Sequence, residues 1–402
     1  MDKLTLAFLI AAFLLLIAPA QATIYVGGET GVPSISEAIE KASENETIIV
    51  CEGVYRENVV IDKPLILKAS GNVTIEAPDD SDFVVCIRAN NVVFSGFNVR
   101  GGFVGILLVY VQSCRIEYNS VIENDYGIVL FFSGGNKIEN NTAYENRDRG
   151  IDLRYSSGNE VRNNTANKNL GGIGLMNSSN NKIENNTACE NGAAGIHLVN
   201  SSGNEVRNNI ANKNLGGIEL MRSSNNKIEN NTACENRGEK INLEDSFGNE
   251  VRNSIATGSL EFGIALLSSN NNKIKNNTAC ENADVGIYLQ NSSENEVNYN
   301  IANKHSMIGI CLLSESSNNI IRNNTASENE HAGISISSSE NEVSNNIATG
   351  NLEFGIALSS SYNNKIENNT ACENGIRGIQ LLDSSGNEVR NNIANRIGRE
   401  LD

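Results

Sequence analysis

Asp152, His197, Glu219, Asn242 and Tyr288 each occupy the x of a recurring Ile-x-Leu run, and Arg154 and Glu244 lie two residues beyond that place. Residues i and i+2 of a strand face the same way. If the copies stack in register, these seven side chains form one polar strip. Carboxylates, an imidazole, an amide and a phenol are groups that bind sugar hydroxyls and move protons. The strip is read as a binding face for an extended glycan. His197, Glu219 and Glu244 are the acid/base candidates, and Asp152, Arg154, Asn242 and Tyr288 the ligand-binding candidates. A solvated sheet face that tolerates variety fits the same residues. Asp152 and Glu219 would stand three coils apart, about 14 Å at the spacing of paired strands. Paired glycosidase carboxylates sit roughly 5–9.5 Å apart, so only a closer pair such as Glu219 and Glu244 suits that chemistry. Trp is absent and Tyr numbers 10, so stacking platforms for sugars are sparse.

What must position the strip is a repeat. The Ile of the run recurs from Ile106 to Ile379 at steps of 22 to 24 residues, the period of a solenoid. The segment Asn180–Gly217 holds two half-units, Asn-Lys-Ile-Glu-Asn-Asn-Thr-Ala and Asn-Glu-Val-Arg-Asn-Asn-Ile-Ala. Period-2 alternation turns Ile183 inward and its charged neighbours outward, as it does Ile196 and Leu198 in the next strand. Alternation also points Asn185 inward, as one rung of an amide ladder. One outward column reads Lys137, Glu160, Lys182, Glu205, Lys227, Glu250, and another Glu139, Arg162, Glu184, Arg207, Glu229, Arg252. Alternating sign between neighbours is what parallel stacking without offset selects, because like charges on adjacent strands repel.

Residues 1–22 read as a secretory signal: Lys3, an apolar run from Leu4 to Ile17, and Ala20-Gln21-Ala22 before a cut at Thr23. The run is short for a bilayer span of about 20 residues, and nothing after it is apolar for long enough. Residues 23–104 read as a cap and irregular coils, with Ser34-Ile-Ser-Glu37 opening a short helix over the end of the solenoid. Residues 105–402 read as regular coils of the same continuous domain. The chain ends at Asp402 soon after its last unit, and an open solenoid end favours end-to-end association.

A net charge of −17 argues against a nucleic-acid partner, which needs a basic surface. Cys189, Cys234, Cys280 and Cys372 fall at one place in coils two or more apart. Two coils separate them by about 10 Å, beyond the roughly 7 Å Cα limit of a disulfide, so they read as unpaired thiols. A single bridge among Cys51, Cys86 and Cys114 stays open. His197, His305 and His331 lie coils apart and do not converge as metal ligands, and no cofactor is evident. Asn-x-Ser/Thr sequons recur. Because the Asn of each Asn-Asn-Thr is expected in the inward ladder, Asn45 and Asn72 outside the regular coils are the glycosylation candidates.

The unit N-x-I-x-N-N…G-I-x-L, with Gly53-Val-Tyr-Arg-Glu-Asn-Val-Val-Ile-Asp-Lys-Pro64 ahead of it, resembles the NosD-like family and the wider carbohydrate-binding and sugar-hydrolase β-helices. The resemblance implies an all-β fold, a single-stranded right-handed parallel β-helix of 22–24-residue coils with a short N-terminal capping helix. It implies an exported protein at the surface or in the envelope, with a structural or glycan-binding role. The polysaccharide lyases, hydrolases and epimerases of the group supply an enzymatic alternative. NosD-like proteins, associated with copper-site maturation of nitrous oxide reductase, supply a copper-handling one. No His/Cys/Met cluster carries a copper site over.

Overall fold

The computed structural model describes residues 23–29, 31–80 and 82–395. The expected leader, 1–22, and the far C-terminal end lie outside them. The chain winds as a parallel β-solenoid with three faces. The Ile-x-Leu strands form a 15-stranded sheet running from Val59–Ile61 to Arg377–Leu382. Strands such as Lys182–Glu184 and Glu205–Arg207 pair residue for residue on the second face. The third carries Thr-Ala and Ile-Ala positions, paired as strands at Thr142–Tyr144 and Thr165–Asn167 and as single bridges from Thr187 to Ile210 to Thr232.

Each coil contributes few apolar side chains. Ile183, Ala188, Ile196 and Leu198 are all fully buried, and burying an Ile or Leu contributes roughly 1.5–3 kcal/mol. A lone coil would leave these groups wet, so the core exists only through stacking. Every step of the Lys/Glu column from Lys137 to Glu250 is observed, from Lys137 opposite Glu160 to Glu205 opposite Lys227 and Lys227 opposite Glu250. The Glu/Arg column holds ion pairs such as Arg162–Glu139 at 2.8 Å and Arg252–Glu229 at 3.0 Å. Exposed pairs of this kind add little energy. They set register, because a one-coil slip brings like charges together.

The corners correct the expectation for Asn185. Asn177, Asn180, Asn185 and Glu190 have φ of 51°, 57°, 55° and 58°, and each precedes a buried polar residue: Ser178, Asn181, Asn186 and Asn191. A left-handed residue resets the strand's alternation, so the residue three after Ile183 turns inward and Asn185 stays exposed. Asn tolerates that conformation better than most residues. The ladder therefore runs through the second Asn. Asn186 donates from Nδ2 to Asn209 Oδ1 at 3.1 Å and to Val161 O at 2.9 Å, and its backbone N–H meets the same Oδ1 at 2.9 Å.

The N-terminal end is covered by the helix Ile35–Lys41, which buries Ile35, Ala38 and Ile39. Ser34 Oγ accepts from Glu37 N at 3.1 Å. The reciprocal half of the expected capping box is supplied from elsewhere: Glu57 accepts from Ile35 N and Ser36 N at 2.8 and 2.9 Å, while Glu37 pairs with Lys41. All eight cysteines are free. No bridge joins Cys51, Cys86 and Cys114: Cys51 and Cys86 lie on different faces, and Cys114 turns its thiol toward Ala89 O at 3.3 Å.

Candidate functional site

The strip forms in the expected order. Asp152, Gly174, His197, Glu219, Asn242, Ala265 and Tyr288 are consecutive register partners on the 15-stranded sheet. Arg154, Met176, Val199, Met221 and Glu244 form the parallel column two residues on. Within that line the structure separates a closed end, an open middle and a stacked end.

Asp152 is fully buried, with Arg149 Nη1 at 3.2 Å from one carboxylate oxygen and Arg154 Nε at 2.5 Å from the other. Arg154 also lies over the Tyr126 ring, 4.8 Å from its centroid. Asp152 cannot meet a ligand without displacing a guanidinium, so its role here is to hold two arginines in place. Arg149 extends across Gly174, where an added Cβ would come within 2.6 Å of its Cδ.

The middle is different in kind. His197 is pushed down to about 4 by burial and by the positive charge of Arg149, so it is neutral at ordinary pH. Glu219, its neighbour in the next coil, is raised by burial and by the carboxylates of Glu239 and Glu244. The Glu219 carboxylate folds over Gly216, whose missing side chain leaves that space. Asn242 follows one coil later, and its Oδ1 is buried without a hydrogen-bond partner. A neutral imidazole, a carboxyl biased toward its protonated form and an unused acceptor thus occupy three consecutive coils about 4.8 Å apart. That set can accept and return a proton and hold a hydroxyl.

Tyr288 stacks on Phe262 at 4.4 Å and donates its OH to Gln290 Oε1 at 3.0 Å, so both its ring and its hydroxyl already have partners within the protein. His305 belongs to the ladder rather than to any site. Its Nδ1 accepts from Asn282 N at 3.1 Å and its Nε2 lies 2.7 Å from Ala279 O. His331 pairs with Glu353 at 3.3 Å on another part of the surface.

Arg149 and Glu239 escaped the sequence reading. They sit two residues before the Ile of their runs, a third outward column that also holds Tyr126, Gly171, Ala194, Gly216 and Phe262. An aromatic stack at the adjoining corner was missed as well. Tyr110, Phe132 and Tyr155 lie ring on ring at 5.2 and 4.8 Å, and so offer edges rather than open faces along most of their length.

The right-handed β-helix family model matches residues 82–233 and 303–394, and the model for periplasmic copper-binding protein NosD matches residues 193–325. A cell surface glycoprotein of Methanothermus fervidus is 37% identical over 103 residues, 25% of this chain and 17% of that protein. The chain therefore spans under a fifth of that relative's length. Among solved structures, the Dettilon tailspike protein aligns at TM-score 0.53 with 16% identity, covering 66% of this chain and 68% of that one. A DFA-IIIase of Arthrobacter chlorophenolicus A6, solved without its lid, aligns at 0.53 with 13% identity over 75% and 94%. The mannuronan C-5 epimerase AlgE4 A-module of Azotobacter vinelandii aligns at 0.50 with 16% identity over 74% and 89%. At these identities the likeness is one of fold. Among the described residues none form a group of three or more His, Cys, Asp or Glu that could hold a metal ion, and the side chains nearest to copper ligands in type do not fit one: His305 has both ring nitrogens engaged by main chain, Met221 turns its sulfur to Arg222 at 3.6 Å, and Arg149 places a positive charge beside His197. Coil period, ladder, register and family match agree, and the chain belongs to the right-handed β-helix family, with a NosD-like stretch within it.

Proposed function

We propose that this chain is an exported β-helix protein of the cell surface or envelope that binds an extended glycan along the strip from His197 to Glu244. One observation carries the reading: three adjacent coils give up the apolar or small residues usual at this position for a neutral His197, a protonation-prone Glu219 and an unpaired Asn242 acceptor. All three side chains are half-buried, and withdrawing polar groups from water costs stability unless they are paired, so their concentration on one sheet face favours a ligand. Support for the location comes from the signal-like residues 1–22, the net negative charge, and the likeness to a cell surface glycoprotein of Methanothermus fervidus. No helix among the described residues is long and apolar enough to cross a membrane. No cofactor enters this reading.

A second reading, polysaccharide cleavage or epimerisation, is favoured by the opposed shifts of His197 and Glu219, the pattern of an acid/base pair. A single experiment addresses both. The mature protein is mixed with neutral and acidic polysaccharides, with and without Ca²⁺, and read for binding, for new reducing ends and for unsaturated sugars. Binding lost in Glu219→Ala and Asn242→Ala supports the first reading. Turnover abolished by Glu219→Ala replaces it with the second. Binding that persists in both variants removes the strip from the function.

A further inference from the structure

Seven Asn-Asn-Thr sequons occupy one corner of the solenoid. Asn140, Asn163 and Asn185 stand in consecutive coils, and Asn230, Asn276, Asn323 and Asn368 follow at every second coil. Their φ values lie between 54° and 56°, which turns each side chain out of the ladder. The next residue, Asn186 in the coil of Asn185, is the buried rung. Among the described residues these outward amides make no side-chain hydrogen bond. These asparagines are therefore not rungs of the inward ladder, and they are as open to modification as Asn45 and Asn72 outside the regular coils. Asn72 is itself engaged, accepting from Asn98 at 2.7 Å.

The threonines give a second, independent observation. Thr187, Thr232, Thr278, Thr325 and Thr370 alternate along the column with Ile210, Ile255, Ile301 and Ile347 as direct bridge partners. Those isoleucines are 43–46% exposed, so no core requires them. The threonine hydroxyls make no hydrogen bond within the described protein. The fold accepts Thr or Ile at this place and uses the hydroxyl for nothing. An Asn-x-Thr acceptor site uses it to orient the Asn amide.

We propose that this corner is an N-glycosylated edge, in which the outward Asn of each Asn-Asn-Thr carries an oligosaccharide. The donor class is a polyprenyl phosphate- or diphosphate-linked oligosaccharide. Asn Nδ2 bonds to the anomeric carbon, and the bond from that carbon to the lipid phosphate oxygen breaks. The electron pair leaves with the phosphate, and one amide proton passes to a base of the transferase. Sites two coils apart are separated by about 9.6 Å, so successive glycans stand side by side along the axis. A row of this kind would shield one edge of the solenoid and leave the sheet bearing His197 and Glu219 open. The inference rests on the reading that the chain is exported.

The test uses the full chain recovered from its native cells. Protease accessibility on intact cells first places it outside or inside, and glycopeptide mass spectrometry then maps every Asn. Glycan is expected on Asn140, Asn163, Asn185, Asn230, Asn276, Asn323 and Asn368, and none on the equivalent Asn208, Asn253 and Asn345, which lack the hydroxyl. Thr232→Ile should remove the glycan of Asn230 alone, and Ile210→Thr should add one at Asn208, both with an unchanged circular dichroism spectrum. An exported chain with a bare column overturns this inference and leaves the surface reading standing. A chain retained inside overturns both.

Discussion

The backbone N–H and the Nδ2 of Asn186 both donate to Oδ1 of Asn209, at 2.9 and 3.1 Å. One oxygen in the next coil thus satisfies two buried donors, so Asn209→Ala strands both. Leaving buried donors unmet costs about 1–3 kcal/mol each way it is measured, and a loss of about 2–3 kcal/mol is expected. Asn208, one residue earlier, is exposed at a φ of 56°. Asn208→Ala should cost only the left-handed penalty, about 1–2 kcal/mol, and Asn208→Gly within about 0.5 kcal/mol. Thermal and denaturant melts of the full chain compare them. Equal losses at 208 and 209 would show that the ladder is not the main polar support of the coil.

The choice between the two asparagines was the part of the fold that alternation could not supply. The charge columns were legible because Lys182 stands between Glu160 and Glu205, and a one-coil slip would set like charges together. Alternation holds inside a strand, and the left-handed corner interrupts it. A signal was nevertheless present: Gly203 and Gly248 replace Asn180 and Asn225 at the same corner of neighbouring coils, all at positive φ. Gly and Asn exchange freely where a left-handed backbone is required. The site was half legible for a related reason. His197, Glu219 and Asn242 follow the Ile, where the strand pattern directs attention. Arg149 and Glu239 precede it, and their influence depends on side chains that bend over Gly174 or toward Glu219.

Lys240 and Ser259 should behave as a coupled pair. Lys240 takes the place of the Gly that heads the run in the other coils, and it is fully buried. At Gly217, one coil earlier, an added Cβ would meet the ladder amide of Asn236 at 2.9 Å. Ser259 stands in that ladder position for Lys240 and is short enough to leave room, while the Lys240 ammonium donates to Asn236 O. Ser259→Asn alone is expected to destabilise by about 1–3 kcal/mol through overpacking. Adding Lys240→Gly should recover most of that loss, with a coupling of about 1 kcal/mol or more in a double-mutant cycle. Additive effects would separate the two residues.

His305 should make the fold acid-sensitive. Its ring stands in for a ladder Asn, with Nδ1 accepting from Asn282 N and Nε2–H donating to Ala279 O, the neutral tautomer this network assigns. Burial pushes it down from 6.5 to about 4. The folded state therefore resists a proton that the unfolded chain accepts. Its contribution is complete above 6.5 and is lost as pH falls from there through about 4, reaching about 3 kcal/mol. His305→Asn restores the common rung and should flatten that part of the acid limb. Melting midpoints at pH 7.5 and 4.5 for both proteins isolate the effect. Parallel losses would exclude His305 as a source of it.

Glu219 is predicted to be held at a cost to the fold. Burial and the charges of Glu239 and Glu244 raise it above the ordinary carboxylate range, so its protonated form is the one the folded state prefers. The stability tied to that form is present below the unfolded value and is lost as pH rises through the folded one. Glu219→Gln keeps the shape without the charge. The variant should match the native protein in acid and exceed it at pH 7.5, with the difference growing across that interval. If the strip binds glycan, the same change should weaken binding about tenfold, a loss of about 1.4 kcal/mol. Greater stability together with weaker binding is the signature of a residue kept for function against the preference of the fold. Greater stability with unchanged binding would instead mark Glu219 as an unfavourable charge that the solenoid merely tolerates.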